Sequence, residues 1–448
     1  MGEKGKGLSL KTKLGFGICD LGGNLFFTMM GFYLLFFLTD TVGLAAGLAG
    51  TALMIGKIWD AVTDPAVGYL SDKTSSPLGR RRPYILYGLI FLFIFMIAMF
   101  TNPGIKSQGW LFVWAAVVYC LLNTAYTLVN IPYGALTPEL TPDFNERTVL
   151  NGYRMSFAVV GTLIGAGLVI PIIGMFKNKD TGWTAVGAIM GAIMALTALI
   201  TFLTVKGKDN GKPVVHKNII KSYTEVLKLK PFIFALLPWT FHITGITVIQ
   251  GALLYYFRYI YKAENFFQFA LLSLLVSALI FIPVWVALSK RIGKKLSYNI
   301  GMLIFTTAVI VFFIFGQRYG VYFAIGILFF AGIGFATQYV MPYSIVPDVV
   351  EYDVVKNGVR REGVFYGLWT FVSKFGQAFA IFLSGWVLSL FGYVPNAEQS
   401  KSSILGIKIL CGPVPAAFFI AGVIILSFYP ITKSFYDKMI LSENIELV

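Results

Sequence analysis

Apolar stretches long enough to cross about 30 Å of hydrocarbon recur from one end of this chain to the other. They are expected at 15–39, 44–71, 84–102, 108–135, 152–176, 183–205, 231–260, 266–289, 296–316, 319–347, 363–392 and 404–430. Inside a bilayer each backbone N–H and C=O must find its partner within the spanning structure, so uninterrupted apolar runs of this length fold as helices. The expected fold is therefore an all-α membrane protein with twelve transmembrane helices. Composition agrees: 57% of the residues are hydrophobic and 13% charged, and the mean hydropathy is +0.76. A soluble domain is about 25% charged.

The basic residues are placed unevenly. Of 36 Lys and Arg, twenty-five fall at the two termini or in the loops after even-numbered spans, and six in the loops after odd-numbered ones. Positive charge stays on the cytoplasmic side, so both termini are expected there. This bias accounts for the net charge of +15 without a nucleic-acid partner. Cys19, Cys120 and Cys411 are isolated in apolar segments, which argues against a disulfide framework or a metal cluster. Residues 1–14 are basic and glycine-rich, without the apolar core and cleavage site of a signal peptide, so the first span is expected to act as the membrane signal.

One long polar segment, 206–230, separates an N-terminal half (1–205) from a C-terminal half (231–448), each with six spans. The halves repeat weakly. Leu70-Ser71-Asp72-Lys73 with Leu78-Gly79-Arg80-Arg81-Arg82 follows the second span, and Leu288-Ser289-Lys290-Arg291-Ile292-Gly293-Lys294-Lys295 follows the eighth. Two six-helix halves with a central linker is the plan of major facilitator transporters, in which solute binds at the midplane between the halves.

The second span contains Lys57-Ile58-Trp59-Asp60-Ala61-Val62-Thr63-Asp64-Pro65. Asp60 and Asp64 are four residues apart and share a helix face with Lys57. An ionised carboxylate at this depth costs at least about 2.5–3.5 kcal/mol. Two on one turn point to a held cation or a relayed proton. The plain alternative is a pair neutralised by lysine. Pro65 leaves the Ala61 carbonyl without its helical donor and open to an ion.

The turn of Gly68, Asp72 and Gly79-Arg80-Arg81-Arg82 resembles the major facilitator signature between spans 2 and 3. Trp59 to Pro65, Ile131-Pro132-Tyr133-Gly134-Ala135-Leu136-Thr137 and Phe391-Gly392-Tyr393-Val394-Pro395-Asn396 resemble the glycoside–pentoside–hexuronide:cation symporters, whose best-known member is the melibiose permease. The resemblance runs from the first span to the twelfth. It implies a cation-coupled symporter working by alternating access, not an enzyme, with no cofactor beyond the coupling ion, sodium or a proton. A bacterial inner membrane and a monomer are the corresponding expectations. It implies a cation site of Asp60, Asp64 and Thr127, with Thr63 and Ala61 contributing, and sodium as the ion if the pair does not share a proton. It makes Lys374, with Lys57, the coupling cation that competes for these acids.

The implied solute site draws on Asp20, Asn24, Tyr126, Asn130 and Arg154, with Trp369 and Thr370 in span 11. Here the chain departs from the family: the permease has aspartates where Asn24 and Asn130 stand and a tryptophan where Gly134 stands. Asp20, one turn before Asn24, is placed to replace one lost acid. The implied inner gate comprises Asp72, Arg80, Arg147, Asp348, Glu351, Arg360 and Glu362, with Arg147 pairing with Asp348 or Glu351. Asp348, Glu351 and Asp353 are expected to follow helix breaks at Pro342 and Pro347. Thr63 is shared with the sodium-dependent lysolipid symporters of the same family, so an amphiphile is the alternative solute. A membrane transferase is the remote alternative, because neither His216 nor His242 has a plausible catalytic partner. Arg258 and Lys262 among Tyr255, Tyr256, Tyr259 and Tyr261 are expected as an outer aromatic-basic belt.

Overall fold

The computed structural model describes residues 8–141, 144–205, 219–358, 361–431 and 435–436. Most of the 206–230 linker, along with Arg360, lies outside the described residues. Among those described, every regular element is a helix. Contacts divide the chain into two compact units, Met1–Val215 and His216–Val448. Unit 1 holds α1 (Leu10–Gly17), α2 (Cys19–Phe32), α3 (Leu34–Phe36), α4 (Ala46–Lys73), α5 (Arg82–Met99), α6 (Gln108–Leu140), α7 (Phe144–Gly174) and α8 (Lys179–Thr204). Unit 2 holds α9 (Ile219–Val226), α10 (Lys230–Tyr255), α11 (Phe267–Ile292), α12 (Lys294–Phe335), α13 (Thr337–Asn357), α14 (Glu362–Leu390), α15 (Lys401–Leu410) and α16 (Pro413–Ser427).

Nine helical stretches among the described residues are long and apolar enough to cross a membrane, or ten if Leu10–Phe32 and Leu34–Thr41 form one span bent by 47°. One of the nine, Lys294–Asn357, is 64 residues long and is interrupted at Gly320, whose φ of 77° and ψ of −166° are not helical. The helix that carries Lys57, Asp60 and Asp64 is not among the nine. The breaks expected at Pro342 and Pro347 are absent: α13 runs through both prolines, and Ala336, where α12 meets α13, keeps helical φ and ψ of −56° and −30°. A Cβ on Gly332 would stand 2.4 Å from the Leu274 carbonyl oxygen, and one on Gly334 the same distance from that of Gly301. The segment before Ala336 therefore packs closely against α11 and the start of α12. The aromatic belt is also corrected, because Tyr255 and Tyr256 are fully buried.

Close approaches in unit 1 bring the site residues together. In α7, a Cβ on Gly161 would fall 2.1 Å from the Leu21 carbonyl oxygen of α2. In α4, one on Gly56 would fall 2.1 Å from the Tyr119 ring of α6. Only glycine permits either contact. One turn beyond Gly56 is Asp60, and two turns beyond Tyr119 is Thr127, so the α4–α6 seam sets the acids against that hydroxyl. Two turns before Gly161 is Arg154, facing the α2 turn that bears Asp20.

Candidate functional site

The Thr127 hydroxyl lies 3.2 Å from Oδ1 of Asp60 and 2.9 Å from Oδ1 of Asp64. Asp60, Lys57 and Thr127 are buried, with exposures of 3%, 4% and 1%, and Asp64 is half-buried. Lys57 Nζ stands 3.8 Å from Asp60 Oδ2 and 5.6 Å from the centre of the Phe27 ring. A threonine hydroxyl carries one proton to donate. It can satisfy one carboxylate, so the second contact calls for a carboxyl proton or a cation shared with the oxygens. Lys57 brings a positive charge beside the two carboxylates. Thr63 donates to the Asp60 carbonyl of its own turn at 3.3 Å, and Ala61 is buried beside them. Among the described residues no group of three or more His, Cys, Asp or Glu gathers as a metal cage. Two acids and a hydroxyl suit a monovalent ion or a proton better than Ca²⁺, which takes about six to eight oxygens.

A second polar cluster joins α2, α6 and α7. Arg154 donates from Nε to Asp20 Oδ2 at 2.6 Å and from Nη2 to Oδ1 at 3.4 Å. Tyr133 donates to the same Oδ2 at 2.5 Å, and Thr137 accepts from Arg154 Nη1 at 3.1 Å. The guanidinium also sits 4.8 Å over the Tyr133 ring. Tyr126 stacks on Phe26 at 4.2 Å and 6°. Asn130 and Tyr126 border a void of about 10 Å³, room for about one water, with Gly22, Gly23 and Cys19. Asn24 turns to its own helix and donates to the Asp20 carbonyl at 3.0 Å. In unit 2, Trp369 stacks on Trp239 at 5.9 Å, Thr370 is exposed, and Lys374 is half-buried in the middle of α14.

Charged contacts gather at one end of each unit. Arg80 pairs with Glu139; Arg81 Nε reaches the same Glu139 oxygen at 2.7 Å and its Nη2 reaches Asp72 at 2.8 Å. Arg147 donates from Nε to the Thr141 carbonyl at 2.9 Å. In unit 2, Lys294 holds both oxygens of Asp348 at 2.7 Å. Tyr436 donates to Glu351, and Glu362 is exposed in the first turn of α14. Arg361 reaches Asp353 at 2.7 Å and Glu225 of α9 at 2.5 Å, and these carboxylates, Asp353 first, hold its guanidinium above its ordinary pKa. Sequence reasoning missed Glu139, Tyr133 and Thr137 as partners. The signal for Glu139 was a lone acid closing the fourth span on the side of three consecutive arginines.

The basic turns that repeat in the sequence thus carry equivalent contacts: Arg80 and Arg81 on an acid at the end of α6, and Lys294 on an acid toward the end of α13. Comparison with known proteins identifies the family. A profile of the family described as MFS/sugar transport protein matches residues 15–433. An uncharacterised symporter of Synechocystis sp. is 30% identical, with 96% of each chain aligned. The isoprimeverose transporter of Lactiplantibacillus pentosus is 30% identical over 94% of this chain and 88% of its own. The glucuronide carrier protein homolog of Escherichia coli K12 is 29% identical over 97% and 95%. The crystal structure of the nucleoside transporter NupG superposes with a TM-score of 0.63 at 14% identity, covering 94% of this chain and 99% of that one, a likeness of fold. The chain belongs to the MFS/sugar transport protein family, as a member of the glycoside–pentoside–hexuronide:cation symporters, and is a multi-pass membrane transporter.

Proposed function

We propose that this protein moves a hydroxylated solute of the glycoside or hexuronide class together with sodium or a proton, by alternating access. The observation that carries the coupling is the single Thr127 hydroxyl set between two carboxylates. A cation or proton among Asp60, Asp64 and Thr127 completes that arrangement. Lys374, half-buried in the middle of α14, is the coupling lysine in this reading. Coupling is reciprocal, so solute must tighten cation binding by the factor by which the cation tightens solute binding.

The Asp20–Arg154 pair, with Tyr133, Thr137, Tyr126 and Asn130, is the solute site of unit 1 in this reading, and Trp369 and Thr370 are the candidate solute contacts of unit 2. Hydroxyls both donate and accept, so they can insert between a carboxylate and a guanidinium. A guanidinium also grips a carboxylate in two places. Both features fit relatives named for glucuronide, isoprimeverose and sulfoquinovose. Twelve spans follow if Leu10–Thr41 counts as one bent span, Lys294–Asn357 as two and the acid-bearing α4 as one. Both termini then lie in the cytoplasm, and the protein works as a monomer in a bacterial inner membrane. Arg147 in unit 1, and Asp348 and Glu351 in unit 2, are the gate residues in this reading.

The test is a binding screen of purified protein against neutral glycosides, hexuronates, sulfonated sugars and lysolipids, with and without sodium and at two pH values. A hydroxylated solute whose affinity rises with sodium or acid supports the reading. Binding of lysolipids alone overturns the solute class.

A further inference from the structure

In both units the first span ends in the same way, which the sequence analysis did not register. Leu34-Leu35-Phe36-Phe37-Leu38 in unit 1 matches Leu253-Leu254-Tyr255-Tyr256-Phe257 in unit 2. Each runs into a five-residue π-helix, Phe37–Thr41 and Tyr256–Ile260. Each is closed by the same two bonds. Val42 N–H donates to Phe37 at 3.0 Å and Leu44 N–H to Leu38 at 2.9 Å; Tyr261 N–H donates to Tyr256 at 3.2 Å and Ala263 N–H to Phe257 at 3.0 Å. The turn demands a left-handed residue. Unit 1 supplies Gly43, at φ 81°; unit 2 puts Lys262 there, at φ 52°. A non-glycine residue in that region costs about 1–2 kcal/mol. Glycine would serve the turn better, so the lysine is held there for its side chain.

That side chain borders a cavity of about 530 Å³ walled by Arg258, Tyr259, Lys262, Glu264, Asn396 and Glu398. The volume falls within the roughly 300–1,000 Å³ of small-molecule pockets. Asn396, on the facing loop, is also left-handed at φ 55°. The wall is anchored on one side and loose on the other. Arg258 is held by Glu264 at 2.5 Å and Asn396 Oδ1 at 2.8 Å, and the Tyr259 hydroxyl accepts from Asn396 N–H at 2.9 Å. Lys262 and Glu398 touch at 3.2 Å with side chains 76% and 94% exposed, a contact worth about 0–1 kcal/mol and easily opened.

We propose that this cavity is a second solute site, for a neutral polyhydroxylated molecule such as a glycoside, built wholly from unit 2. The charges decide the class. Two cations and two carboxylates already balance. An anion would displace a glutamate and leave its charge unpaired, whereas a hydroxyl accepts from Lys262 while donating to Glu398.

The experiment uses the full chain in lipid nanodiscs with Cys19, Cys120 and Cys411 changed to serine and Ala397→Cys placed at the cavity wall. The alkylation rate of that thiol by a charged maleimide is measured against methyl β-glucoside and against glucuronate. The expected result is saturable, several-fold slowing by the neutral glycoside and a weaker effect of glucuronate. Lys262→Gly keeps the turn, so stability should hold or rise while protection weakens about tenfold or more, the loss of one charged hydrogen bond. Protection should persist with Asp60→Asn and Asp64→Asn added, which separates this site from the proposed coupling. No protection, protection by glucuronate alone, unchanged protection in Lys262→Gly, or its loss in the double aspartate variant would each overturn the proposal.

Discussion

Arg154 of α7 grips Asp20 of α2 across 134 residues of sequence, with its Nε 2.6 Å from Oδ2 and Nη2 3.4 Å from Oδ1. Side-chain exposures of 18% and 12% leave little water to screen the pair. Removing one partner of a buried pair costs roughly 3 kcal/mol, because the other charge stays behind. Asp20→Asn and Arg154→Gln should each lower the melting temperature, and the double variant should lose less than the two single losses combined. Simple additivity in a thermal double-mutant cycle would show that the pair is not coupled. Asp20→Asn should also weaken solute binding about tenfold or more, since hydrogen bonds to a charged group are worth about 1.5–3 kcal/mol.

Thr127 makes a sharper test, because valine has its shape without its hydroxyl. Thr127→Val should weaken the apparent affinity for the coupling cation about tenfold, and Thr127→Ser should restore it. Uptake into proteoliposomes, titrated with sodium and with pH, measures both. Equal loss in the valine and serine variants would assign Thr127 a packing role only.

Gly161 sets the distance between α2 and α7. A methyl group there would stand 2.1 Å from the Leu21 carbonyl oxygen, which is backbone and cannot swing away. Gly161→Ala should therefore cost about 1–3 kcal/mol and move Asp20 off Arg154. Thermal melts read the first effect and solute affinity the second. Normal affinity in a destabilised variant would separate the helix seam from the site.

Glu146 ties the start of the chain to the α6–α7 loop. It accepts from Thr141 at 2.8 Å and from the Leu8 N–H, with Lys13 3.6 Å away. These contacts, Thr141 first, pull its carboxyl below the ordinary value of 4.5. Its stabilising contribution is therefore complete above about pH 4.5 and is lost as pH falls through the depressed value. Hydrogen exchange at residues 8–13 should accelerate in that acid window, and Glu146→Gln should remove the dependence. The same pH profile in the variant would point to another group.

Much of this architecture was legible because the bilayer simplifies the problem. Spans, halves and the acid pair on α4 follow from hydropathy and helical spacing, and the Asp60–Asp64–Thr127 grouping was anticipated through the family's motifs. What escaped was set by packing. The helix breaks expected at Pro342 and Pro347 are absent, because α13 continues through both prolines. Tyr255 and Tyr256 read as a belt because tyrosine favours interfaces, yet burial claimed them. Asn24 stands where the permease has an aspartate, and its amide closes on its own helix. Glu139 was invisible as a hub because its partners lie 58 and 59 residues away.

The most direct measurement is the cation dependence of solute binding to purified protein, wild type against Asp60→Asn with Asp64→Asn. In the wild type, sodium or acid should tighten solute binding, and solute should tighten cation binding by the same factor. In the double variant both dependences should vanish while the protein remains folded and membrane-inserted. Full sodium- or proton-stimulated binding in that variant would contradict the assignment of the coupling ion to Asp60, Asp64 and Thr127.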